Sequence, residues 1–356
     1  MTMRYVQPRP SSIVSALYTL RDLDVDLAIL HGPSGCSFKH ARLLEEDGIR
    51  VLTTSLGDEE FIFGGQWLLE DVIQYAEEEF SPRKIAVVGT CVSMIIGEDM
   101  EAAIEASGIT TPAIAVNIHA GFHDNIDGVI AALEPAAAAG WISSEELERQ
   151  RRVLAAANAT ERARGAACKT YIAPSRGDLK HVAAQELLAL ARSWKRGMAV
   201  MNAKKETAYM FADELLALHD VVPDGDIVYV ANLEERGLPK VRGDAAAILS
   251  QMRSRGVDPV LCGALDEYGE NGAAIAAKIA EIKPDFLLLA GVPHAVSPEA
   301  VAGVEVFSVT NGPRQVAPLK DQGHAHVMVE IDLHPKTLGV HEIVESEFGA
   351  MLRSVV

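Results

Sequence analysis

The hydrophobic pattern switches repeatedly between two kinds of stretch. Short unbroken apolar runs, of the sort a strand buried on both faces presents, alternate with longer stretches whose apolar residues recur every three or four positions. The first series of runs covers 25–30, 49–54, 84–89 and 112–118. Helical spacing fills the gaps: 11–22 behind Ser11 and Ser12, 39–47 closed by Gly48, 66–79 ended by Ser81-Pro82, and 97–106. The stretch 126–195 keeps helical spacing, shows no strand run, and carries a loop at 173–177. A second series then begins, with runs at 198–203, 226–232, 258–263, 285–290, 304–309 and 326–332. Helices are predicted over 206–218, 243–255 and 272–282, and a last one over 341–352. Such alternation predicts an α/β protein of Rossmann-like parallel-sheet domains. The expected layout is a first domain over 1–125, a helical connector over 126–195, and a second domain with its C-terminal helix over 196–356.

Composition narrows the function. The chain has 356 residues, 49% hydrophobic and 23% charged, which suits a globular protein of two or three domains. A formal net charge of −18 repels phosphate backbones and anionic lipid, so neither nucleic acid nor a membrane is an expected partner. No apolar run approaches the roughly 20 residues that cross a bilayer. Residues 1–8 hold no signal-type apolar core, so a cytoplasmic location is expected.

The four cysteines, Cys36, Cys91, Cys168 and Cys262, include no C-x-x-C pair. Cys36 closes the turn His31-Gly32-Pro33-Ser34-Gly35-Cys36 behind the first strand run, and Cys91 follows Gly89-Thr90 behind the third. In a parallel sheet both lie at strand carboxyl ends, with His119 behind the fourth, where ligands gather. Packing thiols and metal ligands are both compatible with that placement. Glycine-rich turns favour the second, because they offer close backbone approach and free N–H groups to an anionic cluster. An iron–sulfur cluster takes about four ligands, so two thiols would need a second copy across a twofold axis. Spacing alone does not choose. The chain has no G-x-x-x-x-G-K-[ST] and no G-x-G-x-x-G after a strand, which places any ATP or nicotinamide on another chain.

The turn at His31–Cys36, then Phe63-Gly64-Gly65, then Thr90-Cys91 followed by Ile96-Gly97-Glu98-Asp99, resembles the nitrogenase component 1 superfamily in order and spacing over about residues 25–125. Ala120-Gly121-Phe122 and Ile282-Lys283-Pro284-Asp285 add to the likeness. The resemblance implies that Cys36 and Cys91 are cluster ligands at a subunit interface. Superfamily subunits carry a further cluster cysteine before the H-G-P turn, and residues 1–30 contain none. That implies two ligands per chain and a 4Fe–4S cluster shared across a homodimer. The region matching the superfamily's iron–molybdenum site has no clear Cys and His pair, and the short 126–195 stretch implies a reduced middle region.

The runs at 37–48 and 57–65 are similar to a compact branch that acts on a nickel tetrapyrrole in coenzyme F430 biosynthesis. This implies an enzyme that couples ring reduction to lactam closure. It also implies a partner, a homodimeric nitrogenase-reductase-like iron–sulfur ATPase that binds the ATP and donates electrons. Candidate proton donors are His119, His324 and His326, with His123 and His294 also near strand ends; His324 and His326 are expected on one face of an extended segment. Lys39, Arg42 and Arg314 are candidates for the macrocycle carboxylates. Each of these residues also reads as an ordinary core histidine or surface cation. Asp58-Glu59-Glu60 reads as a helix start, Cys262 as a core thiol and Cys168 as structural or incidental. Two rival functions remain at this level: another tetrapyrrole reductase or cofactor-assembly scaffold of the same superfamily, or a non-catalytic Rossmann-type binding protein.

Overall fold

The computed structural model describes residues 10–119, 122, 125–167, 170–193, 195–330 and 337–355. They form two compact units, divided between Arg151 and Arg152, with Leu238–Lys240 grouped with the first.

The first unit is a four-stranded parallel sheet of β1 (Leu27–His31), β2 (Arg50–Thr53), β3 (Ile85–Gly89) and β4 (Ala113–Val116). Helices α1 (Ser12–Asp22), α2 (Phe38–Glu46), α3 (Asp58–Phe63), α4 (Gln66–Phe80), α5 (Cys91–Ile96), α6 (Met100–Ser107) and α7 (Asn125–Ala138) connect and flank it. Every residue of β1 and β3 is buried, which is why their sequences are unbroken apolar runs. The side chains of Ser11 and Asp99 start α1 and α6 by accepting the N–H of Val14 and Ala102. Leu69, Ile73 and Met100 pack on Leu27, Ile29, Ile85 and Val87, and each such burial stabilises the unit by about 1.5–3 kcal/mol.

Strand order is β2-β1-β3-β4. The chain winds one way from β1 to β2, then crosses over to place β3 on the other side of β1. The boundary between β1 and β3 is therefore a topological switch point, where an open α/β sheet leaves a crevice at its carboxyl edge.

The second unit begins within α8 (Ser144–Ala163) and continues through α9 (Lys180–Arg192), β5 (Gly197–Asn202), α10 (Ala208–Val221), β6 (Ile227–Ala231) and α11 (Pro239–Ser254). It is completed by β7 (Val260–Leu261), α12 (Gly272–Ile282), β8 (Phe286–Gly291), α13 (Pro298–Val301), β9 (Glu305–Thr310), α14 (Val316–Asp321) and β10 (His326–Val329). The sheet is parallel, in the order β10-β9-β8-β5-β6-β7, so its own switch point lies between β5 and β8. The described part of 126–195 holds three helices, α7 in the first unit, α9 in the second and α8 spanning the division, and an irregular segment over 170–179 that bridges to Met328 through Gly177. The last helix runs Glu347–Ser354 and starts later than the pattern predicts. Ser346 caps it by accepting the Gly349 N–H, while Gln251 bonds the His341 carbonyl and the Ile343 N–H and keeps the preceding residues extended. Among the described residues no helix is long and apolar enough to cross a membrane.

Candidate functional site

Cys36 and Cys91 stand at the switch point of the first sheet. β1 and β3 are paired in register up to His31 opposite Gly89, and the chain leaves both strands at the same edge. Beyond β1 it makes a tight turn in which the Cys36 N–H donates to the Pro33 carbonyl at 3.0 Å, and Ser37 adopts a left-handed conformation before α2. Beyond β3, Thr90 precedes α5, whose first residue is Cys91. The Thr90 hydroxyl donates to the His31 carbonyl at 3.0 Å and pins one turn to the other. A Cβ on Gly32 would lie 2.5 Å from Thr90 Oγ1, so this close approach requires glycine. Both thiols are free, Cys36 half-buried and Cys91 exposed. Burial pushes the Cys36 thiol up, and the nearby Cys91 adds to that shift. Mutual repulsion of this kind is relieved when a cation binds both sulfurs as thiolates.

Behind the turns lies a buried network. His31 is fully buried, with Nδ1 3.1 Å from Thr54 Oγ1 and Nε2 3.2 Å from Glu98 Oε2. Burial lowers the His31 pKa and Glu98 pulls against it, leaving a neutral ring. The Glu98 carboxylate can only accept, so the ring proton belongs on Nε2, and Nδ1 of the neutral ring accepts the hydroxyl proton of Thr54, whose Oγ1 in turn accepts the Gly32 N–H at 3.1 Å. The other Glu98 oxygen accepts the Gly65 N–H at 2.7 Å. Gly64, beside it, has φ +89° and takes the chain sharply from α3 into α4. All three sequence blocks of the resemblance thus converge on one carboxylate. His31, Thr54 and Glu98 had no assigned role at the sequence level; the Glu98-Asp99 pair behind the helix-ending Gly97 was the signal available.

The elements that carry or adjoin the thiol turns expose several large apolar side chains. Phe38 opens α2, Ile62 and Phe63 end α3, Trp67 lies in the first turn of α4, and Met94 and Ile95 lie in α5; all six are exposed, Phe63 by 81%. Lys39 and Arg42 sit on the exposed side of α2 directly after the Cys36 turn, Arg42 loosely paired with Glu45 at 3.6 Å. His119 follows β4, is exposed and packs its ring 4.0 Å from that of Phe122.

The remaining candidates belong to the second unit. The Arg314 guanidinium lies over the Tyr171 ring at 5.5 Å. His324 is buried, with Nδ1 2.6 Å from Ser308 Oγ; burial chiefly, then His294 and Lys320, lowers its pKa to about 4. His326 stacks on Phe307 at 4.4 Å and reaches Glu305 at 2.9 Å and Glu186 at 3.2 Å. The expectation that the two imidazoles share a face is therefore corrected. Ser308 and Phe307 are consecutive in β9 and point to opposite faces, and each takes one imidazole. His324 precedes β10, which begins only at His326, so the two residues are not bound by strand alternation. His326 lines a cavity of about 610 Å³ with Glu186, Lys195, Asp285 and Glu305, at the amino ends of β8, β9 and β10. Cys262 is buried in the core, and burial raises its pKa. Cys168 and His123 lie outside the described residues.

The carboxyl edge of the second sheet carries a group that the sequence pattern did not suggest. Glu161 Oε1 lies 3.0 Å from Lys204 Nζ and 3.5 Å from His294 Nε2, and Glu161 Oε2 accepts from Gln315 at 3.1 Å. Burial pushes the Glu161 carboxyl up, but Lys204 and His294 outweigh it and hold it well below the usual range. No group of three or more His, Cys, Asp or Glu suited to a metal occurs among the described residues.

The family model described as nitrogenase component 1 type oxidoreductase matches residues 12–153. Among curated proteins, the Ni-sirohydrochlorin a,c-diamide reductive cyclase complex component CfbD of Methanosarcina acetivorans is 53% identical over 358 residues, covering 98% of this chain and 97% of the relative. The component of the same name from Methanothermobacter thermautotrophicus is 46% identical, with 98% of each chain covered. That of Methanocaldococcus jannaschii is 40% identical, with 97% of each covered. With likeness at this level along essentially its whole length, and with the superfamily's turns converging on one sheet edge, the chain belongs to the CfbD family of nitrogenase component 1 type oxidoreductases.

Proposed function

We propose that this chain is the catalytic component of an ATP-dependent reductive cyclase. It would reduce Ni-sirohydrochlorin a,c-diamide and close a γ-lactam ring to give 15,17(3)-seco-F430-17(3)-acid. The observation that carries the reading is the pair of free thiols at the first switch point. The substrate is taken from the names of the relatives.

The residues fit a 4Fe–4S cluster shared by two copies. Such a cluster takes about four protein ligands, and one chain brings two thiols at adjacent strand ends. When bound, the cluster would relay single electrons from a nitrogenase-reductase-like iron–sulfur ATPase, the partner that binds the ATP. This chain's part is to hold the thiols, to exclude water with its apolar rim, and to bind and protonate the macrocycle. Lys39, Arg42 and Arg314 are proposed to hold ring carboxylates, and His119, His324 or His326 to deliver protons. His119 fits best on geometry, being exposed at a strand carboxyl end. His324 is neutral and enclosed, and His326 lies at the amino edge of its sheet. A reducing cytoplasm suits free thiols of this kind.

The test is anaerobic purification of wild type and Cys36→Ala, followed by turnover with the reductase, ATP and the nickel diamide. Wild type is expected to carry about four irons and four sulfides per dimer, and Cys36→Ala to lose them. Cluster retention in Cys36→Ala sinks the ligand assignment. A cluster-loaded wild type that makes no lactam product sinks the substrate, and leaves another tetrapyrrole reductase or a scaffold. A colourless, iron-free wild type points to the non-catalytic alternative.

A further inference from the structure

Glu98 is a carboxylate in an unusual position. Its side chain is 4% exposed, and among the described residues no lysine or arginine pairs with it. Its partners are the His31 ring at one oxygen and the Gly65 N–H at the other. Burying a carboxylate without a cation is unfavourable, and an apolar residue would fill the same space at less cost. A group kept there is accounted for by the geometry its two acceptor oxygens impose.

That geometry reaches three places. Toward Cys91 the link is α5 itself: the Glu98 N–H donates to the Ser93 carbonyl at 3.0 Å, so the carboxylate is fixed relative to the helix that Cys91 begins. Toward Cys36 the link is His31, which ends β1, opens the Cys36 turn and leans on Thr54, the acceptor of the Gly32 N–H. Toward the apolar rim the link is Gly65, directly after Phe63 and Gly64. An amide could accept at only one oxygen and so could not serve both donors in the same way.

We propose that Glu98 is a positioning residue for the thiol site, holding the Cys36 turn, the Cys91 helix and the Phe63–Gly65 turn in one mutual arrangement on which the environment of a bound cluster depends. The proposal rests on the cluster reading above for its spectroscopic consequence, though not for its structural one.

The experiment compares full-length wild type, Glu98→Gln and Asp99→Asn. Asp99 is the exposed N-cap of α6, so its amide variant removes the same unit charge one residue away and leaves the junction intact. In iron-stripped protein, amide hydrogen exchange is followed over residues 31–37, none of whose backbone N–H groups donates to Glu98. Exchange there is expected to be at least tenfold faster in Glu98→Gln and within twofold of wild type in Asp99→Asn. In iron-loaded protein, Glu98→Gln is expected to keep its iron but to change the g values and midpoint potential of the reduced cluster, while Asp99→Asn keeps the wild-type spectrum. Unaltered protection over 31–37, a wild-type spectrum in Glu98→Gln, or an equal shift in Asp99→Asn overturns the proposal. If wild type takes up no iron, the cluster reading fails and the exchange comparison alone decides the positioning role. If Glu98→Gln does not fold, Glu98→Asp replaces it, because its shorter stem cannot reach both donors and the same changes are expected.

Discussion

At the scale of single residues, the site rests on contacts too close to tolerate an extra atom. Gly32 leaves room for the Thr90 side chain and no more. Gly32→Ala is expected to destabilise the first unit by about 1–3 kcal/mol, as overpacking of a closed interior does. Gly35→Ala, with nothing within 4 Å of its added Cβ, is expected to stay near wild type. Urea midpoints measure both, and equal losses in the two variants would refute the close-approach argument. His324 supplies a pH prediction. Its pKa is lowered to about 4 from 6.5, so below pH 6.5 the unfolded chain binds a proton that the folded chain refuses. Stability from this group is therefore complete above pH 6.5 and falls as pH drops toward 4, by about 1.4 kcal/mol per pH unit. His324→Asn is expected to remove that slope from urea-derived unfolding energies between pH 6.5 and 4.5; an unchanged slope would show that the proton is taken up elsewhere. Cys36 and Cys91 were legible in the sequence because both follow glycine at the end of a buried run. Glu98 and Glu161 were not, since a buried carboxylate looks like a surface one until its surroundings are known.

At the scale of elements, strands were easier to read than helix ends. An unbroken apolar run such as 85–89 has one cheap solution, a strand buried on both faces, and β3 takes it. The order of strands was out of reach, because any parallel order buries the same runs; yet that order, β1 beside β3, is what brings Cys36 and Cys91 together. Helix starts depend on caps supplied from far along the chain. The periodic pattern from 341 onward is apolar enough for a helix, but Asp213 holds the Ser346 N–H at 2.8 Å and Glu330 accepts the N–H groups of Glu347 and Phe348, which sets the start at Glu347. Ser346→Ala is expected to cost about 1 kcal/mol through the lost cap on Gly349. Loss of helicity and of thermal stability measures it, and a neutral result would assign the start to Asp213 and Glu330 without the hydroxyl.

At the scale of the whole molecule, two properties oppose each other. A net charge of −18 drives copies apart, while burial of the exposed apolar residues on the elements that carry the thiols would favour association. If the face is the dimer interface, association tightens as salt screens the repulsion, over a Debye length of about 10 Å at 0.1 M. A cluster shared between copies, as proposed, would add a reciprocal link: whatever favours the dimer would favour iron, and iron would favour the dimer by the same factor. Phe63→Glu tests this without touching a ligand. It replaces the most exposed ring of the face with a charge in both copies, and losing the burial of one aromatic side chain from each, about 3–6 kcal/mol together, weakens association roughly a hundredfold to ten-thousandfold. Iron per chain is expected to fall in parallel with the dimer fraction in sedimentation, and high salt to restore part of both. Cys91→Ala is expected to weaken the dimer in turn, although the face is otherwise intact. A Phe63→Glu protein that sediments as a monomer and keeps its full iron would contradict a cluster shared between copies, because two thiols alone cannot complete it.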